Sequence, residues 1–157
     1  MTTTARKALI DLIHAHEMLE GEEDAKRFRV LWVAAISLAR AIGHVLTKID
    51  AVSSPKLRSA ISDTYSDWKK NPSKNVIFFE FIDHERNSVL KEFEFGFMSG
   101  PINVVVIADS GVHSIAENLF CPLGSGPYAG EDCRDILAEA IKWWELQLTQ
   151  IERVAAI

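Results

Sequence analysis

The sequence predicts an all-α fold: an up-and-down bundle of about five helices, with a small β-containing insert before the last one. Three observations carry this. Apolar residues recur at helical spacing in five stretches. Capping residues mark where the helices begin and end. Residues 96–130 hold six of the eight glycines and three of the five prolines, which is unlike the rest of the chain. A chain of 157 residues fits one domain, 1–157, and can bury a sizeable core. With 48% hydrophobic and 25% charged residues, its composition is that of a globular protein.

The first helix is expected over Thr4–Glu20, where Ala5, Leu9, Leu12, Ile13, His16 and Leu19 share a face. Gly21 stops it. His16 falls on the apolar stripe and is expected at the core edge with one hydrogen-bond partner. The second helix is expected over Glu22–Asp50, about 40 Å long. Phe28, Leu31, Leu38, Ile42, Val45, Leu46 and Ile49 cover one broad side. Val33, Ile36, Ser37, Arg40, Gly43 and His44 cover a second, so this helix should be central. Arg40 and His44 are four apart and share a face. Arg40 lies well inside the helix, where desolvation demands an anionic partner.

Ser53-Ser54-Pro55 starts a third helix: a serine caps it, and proline is tolerated in the first turn. Leu57, Ile61, Tyr65 (or Thr64) and Trp68 carry its apolar face, and Asn71-Pro72 ends it. The fourth helix is expected at about Ser73–Phe93. At 100° per residue Phe78, Ile82, Val89 and Phe93 span an arc about 60° wide. Glu85 falls in with that arc, Arg86 lies on its shoulder and Asn87 projects to the opposite side. A buried Glu85 needs a partner, and the expected structural clamp joins Glu85 and Arg86 to Arg40 or His44.

Residues 96–130 are too many for a plain helix–helix connection. Ile102–Ala108 is a β-branched run of strand character, and Val112–Ile115 could pair back across Asp109-Ser110-Gly111. The glycines of Leu123–Gly130 lack the Gly-Lys-Ser/Thr of a phosphate-binding loop. A last helix begins after Glu131-Asp132. Its stripe is Ile136, Leu137, Ala140, Ile141, Trp144, Leu148 and Ile151, with Trp143 at the rim serving core and subunit contact.

Several functions are excluded by pattern. Net charge is −5, so general attraction to polyphosphate is not supported. The N-terminus is no signal peptide, no apolar run approaches the length of a membrane span, and a soluble cytoplasmic protein is expected. Two cysteines, Cys121 and Cys133, are too few for a disulfide scaffold, and no base is positioned beside either. His113 alone lies near them, which does not make a zinc site. A di-iron bundle needs Glu-x-x-His twice, whereas Glu80 and His84 are four apart and unrepeated. No metal or other cofactor is expected.

What remains is Arg40, His44, Glu85 and Arg86, with Asn87 and Lys91 nearby. Arginine can stabilise charge developing on a phosphate while histidine moves a proton; the same residues can equally form a buried polar network. The bundle layout, with Arg86-Asn87 in the fourth helix, resembles HEPN domains. Their signature is an arginine, often followed by Asn, Asp or His, and a histidine after four to six intervening residues. Arg86-Asn87 matches its first half. Lys91, Glu92 and Phe93 stand where the histidine would fall, and Arg40 and His44 have only three residues between them. The resemblance implies a dimer in an RNA-related, toxin–antitoxin or phage-defence context, non-catalytic or weakly catalytic, with Arg86, Asn87, His44 and Arg40 as candidate site residues. The alternative is a small-ligand or protein-binding module using a pocket between the second helix, the fourth and the insert. A homodimer is expected from the strand-like 102–108 run and Trp143.

Overall fold

The computed structural model describes residues 1–97 and 121–156, and the backbone alone of 102–106 and 111–115. The bundle is all-α with five helices: α1 (Thr3–Glu20), α2 (Ala25–Lys48), α3 (Pro55–Lys70), α4 (residues 77–92) and α5 (Cys133–Ala156). α1 packs most extensively on α2, and α5 lies against both α1 and α3.

Short-range chemistry sets the helix ends. Asp24 caps α2 by accepting from the amides of Lys26 and Arg27, so the helix starts at Ala25 rather than at Glu22. Ser54 caps α3 through the Leu57 amide, with Pro55 in the first turn. α1 has no cap of its own. Instead Asp50, buried just beyond α2, accepts from the amides of Thr4 and Ala5 at 2.9 and 2.8 Å. At the same end Glu152 of α5 accepts from the amide and hydroxyl of Thr2 and pairs with Arg6 at 2.9 Å. Burial works against the Glu152 carboxylate, but these donors prevail and hold its pKa at about 2.

α4 departs from the expected regular helix. A 3₁₀ turn (Pro72–Lys74) precedes it, and it consists of a π-helical stretch (Ile77–Asp83), one α turn (His84–Asn87) and a second π stretch (Ser88–Glu92). The wider i→i+5 turn alters which residues share a face. Phe93 ends the helix in the left-handed region, at φ 55°.

Two aromatic groups fill the core. Trp68 and Phe78 meet Trp143 and Trp144 with ring centroids 4.8–6.0 Å apart, joining α3, α4 and α5. Trp143 is half-buried in this group and donates to Asn75. Trp32 of α2 meets Phe81 and Phe97, and Phe28 also meets Phe97.

The segment Ala25–Val52 is long and apolar enough to cross a membrane by length and composition, with mean hydropathy 1.6 and a third of that window buried. On that measure the expectation that no stretch qualifies does not hold. Trp32, Ala35, Ile36, Ala39 and Ile42 of this segment pack inside the bundle.

β1 (Ile102–Val106) and β2 (Gly111–Ile115) pair antiparallel, Ile102 opposite Ile115. Residues 98–101, 107–110 and 116–120 lie outside the described ones, as do the side chains of the strand-like run and the remainder of the expected β-containing insert. The flanks are held firmly. Phe97 bridges Leu123, the Gly124 amide donates to the Gly96 carbonyl at 2.8 Å, and Pro122 bridges Asp132.

Candidate functional site

The four polar residues separate into three places. Arg40 reaches from α2 to α4, but its partner is Asp83: Nε donates to Oδ1 at 3.0 Å. The two side chains are 33% and 40% exposed, so the pair contributes at most about 1 kcal/mol. The guanidinium also sits 5.8 Å from the centroid of Phe78. One turn on, His44 is exposed to solvent.

Glu85 occupies a different level. It is 4% exposed, and its Oε2 accepts from the Gly96 amide at 3.3 Å. The buried indole Nε1 of Trp32, on its α2 side, makes no hydrogen bond with the described residues. His84 lies 3.8 Å away, on an exposed side chain. Burial dominates these contacts and pushes the carboxyl pKa up. The expected clamp from Glu85 to Arg40 or His44 is therefore replaced by two separate ties. The reason is distance: Trp32 and Arg40 are eight residues apart, about 12 Å along α2.

Arg86 is half-buried, and its Nη1 donates to Asn87 Oδ1 at 2.9 Å. Asn87, projected to the opposite side, is half-buried beside it. A projection at a fixed 100° per residue does not hold across a helix with π stretches on both sides.

Arg40 and His44 open onto a cleft of about 160 Å³ between α2, α3 and the start of α4, reaching Ile151 of α5. Tyr65, Trp68 and Phe78 line it, and Gly43 lies between the two polar residues. A methyl group at Gly43 would stand 3.1 Å from the Trp144 ring and 3.5 Å from Arg40 Nη1, so glycine keeps this wall low. The cleft is not the expected one: α3 takes the place of the insert. Helical spacing puts Tyr65 and Trp68 on an apolar face but carries no sign that they floor a cleft, nor that Asp83 meets Arg40. The one signal for Asp83 was its place at the head of the Asp-His-Glu-Arg run.

Such a site can bind a small anion. Arg40 uses Nε on Asp83 and leaves Nη1 and Nη2 without an ion pair among the described residues. His44 can donate or accept, and the rings supply an apolar, polarisable floor. Among the described residues no group of three or more His, Cys, Asp or Glu side chains could hold a metal ion. No protein-family model, curated protein or solved structure matches this chain.

Proposed function

We propose that this chain is a small-ligand-binding module, and that its ligand is a single-ring organic anion seated in the cleft between α2, α3 and α4. The observation that supports this is the joint opening of Arg40 and His44 onto an aromatic-lined space. A cavity of about 150 Å³ takes up benzene, so 160 Å³ suits one ring. The anionic group would meet the free nitrogens of Arg40. Binding rather than catalysis is the reading, because of the two hydroxyls lining the cleft, those of Thr47 and Tyr65, the one next to His44 donates to the Gly43 and His44 carbonyls and not to a base.

A thermal-shift series with benzoate, benzyl alcohol and inorganic phosphate tests it. Benzoate should raise Tm, by about 5–10 °C at a hundredfold excess over Kd. The other two probes should do less, and Arg40→Ala should remove the benzoate shift. Absence of any shift from single-ring anions at millimolar concentration refutes the proposal.

A second reading has its own observation. Arg86 and Asn87 lie in contact and half-exposed, and an arginine–asparagine pair at this place in a helical bundle is what a HEPN-like protein would present. On this reading the chain is non-catalytic or weakly catalytic and acts in an RNA-related or defence context. Metal-free RNA cleavage or binding that is lost in Arg86→Ala would support it. RNA behaviour unchanged by that variant would refute it. Either reading is compatible with a cytoplasmic homodimer, and we propose one with the β-containing insert and the exposed side of α2 around Val30 as its contact; Val30 is 68% exposed. A monomeric mass by light scattering at micromolar concentration would rule this out.

A further inference from the structure

The two cysteines are twelve residues apart in the chain, yet they face each other in the fold. Pro122 and Asp132 pair antiparallel, which sets Cys121 directly opposite Cys133. The Cys133 amide donates to the Cys121 carbonyl at 2.9 Å, and the Leu123 amide to the Glu131 carbonyl at 2.9 Å, fixing that register on both sides. Directly opposed antiparallel residues have Cα atoms roughly 4.5–5.5 Å apart. A disulfide spans roughly 4.4–6.8 Å. Both thiols are free.

Both are buried, Cys133 completely and Cys121 to 4% exposure, but only Cys121 borders a second cavity, of about 190 Å³, at the beginning of α2. Phe28, Phe95 and Phe97 form its apolar wall, and Glu22, Glu23, Lys26 and Arg29 supply charges of both signs. Cys133 does not line that cavity, so Cys121 is the thiol nearer to a small reagent entering it.

We propose that Cys121 and Cys133 form a reversible dithiol, oxidised by low-molecular-weight disulfides through this cavity, with Cys121 the attacking thiol and Cys133 the resolving one. The Cys121 thiolate attacks one sulfur of a disulfide R–S–S–R, forming Cys121–S–S–R and expelling RS⁻. Cys133 then gives up its proton, attacks Cys121 Sγ and expels the second RS⁻. In sum two protein thiols are oxidised to one disulfide and R–S–S–R is reduced to two RSH. The closeness of the two thiols favours this division of roles: the Cys133 thiol lowers the pKa of Cys121, while the same contact and burial raise that of Cys133. The new bond would close residues 121–133 and fasten the end of the insert to α5.

The test treats reduced protein, well below its unfolding midpoint, with excess 2-hydroxyethyl disulfide, followed by acid quench and peptide mapping. Wild-type protein should lose two hydrogens, carry a Cys121–Cys133 link and show no lasting adduct. Cys133→Ser should accumulate the mixed disulfide at Cys121. Cys121→Ser should leave Cys133 unmodified over the same period. The oxidised wild type should melt on the order of 6–12 °C higher, reversibly with dithiothreitol, as a loop of this length requires. Lasting mixed disulfide in the wild type, reaction only on unfolding, or equal adduct rates in the two variants would each overturn the proposal. Wild-type mapping alone decides it should either serine variant fail to fold.

Discussion

Replacing Gly96 by alanine tests the tie between Glu85 and the segment that follows α4. A Cβ at Gly96 would overlap the Glu85 carboxylate, within 2.6 Å of Cδ and 2.7 Å of Oε2. The backbone there is not left-handed, so alanine itself is not strained. The carboxylate must move, and the Gly96 amide bond to Oε2 is lost. A charge-assisted hydrogen bond contributes about 1.5–3 kcal/mol. Leaving a buried charge without its partner costs about 3–5 kcal/mol. Because the 3.3 Å bond is long, Gly96→Ala should cost near the lower end, about 3 kcal/mol at neutral pH. The cost should shrink in acid, where Glu85 takes up a proton. Urea unfolding followed by circular dichroism measures both. The decisive comparison is a double-mutant cycle with Glu85→Ala, which removes the atoms in conflict. In that background Gly96→Ala should cost less than about 1 kcal/mol. An equal cost in both backgrounds would show that the penalty arises in the backbone at 96, and would refute the coupling.

Stability should respond to pH in two opposed ways. The raised pKa of Glu85 means the folded state holds its proton more tightly, so stability falls as pH rises past the ordinary carboxyl range; Glu85→Gln should flatten that fall. Glu152 is lowered from 4.5 to about 2, so its stabilisation is present above pH 4.5 and disappears as pH falls through about 2; Glu152→Gln should remove that acid limb. Gln147→Leu should cost about 1–3 kcal/mol in urea unfolding, since it strands the buried Trp68 Nε1 that donates to Gln147 at 2.9 Å; no loss would show another acceptor. Asp83→Asn should change stability by less than about 1 kcal/mol while tightening benzoate binding, because it frees Arg40.

The bundle was readable because its signals are local. Ser54-Pro55, Gly21 and the apolar stripes of α1, α3 and α5 each reflect propensity and burial acting over a few residues. The site was less readable because it depends on registers between helices. Arg40 asked for an anion, but only packing could decide between Asp83 and Glu85, two positions apart on α4. The π turns of α4 have no signature in apolar spacing, and they change how the His84–Asn87 turn faces the core. The Asp50 cap on α1 and the facing of Cys121 and Cys133 join residues through tertiary structure, which periodicity does not carry.

The clasp at Gly96–Phe97 and Leu123–Gly124 has a consequence for how this chain can change. Bringing two distant points of a chain together is the main entropic cost of any loop, and that cost grows slowly with length. Here the bundle itself brings the ends together, through the Phe97–Leu123 bridge and the Gly124 amide. With its ends already held, the length of the chain that joins Phe97 to Cys121 enters the closure cost only slowly, so a change in that length should act on the helices through the clasp and not through the distance spanned.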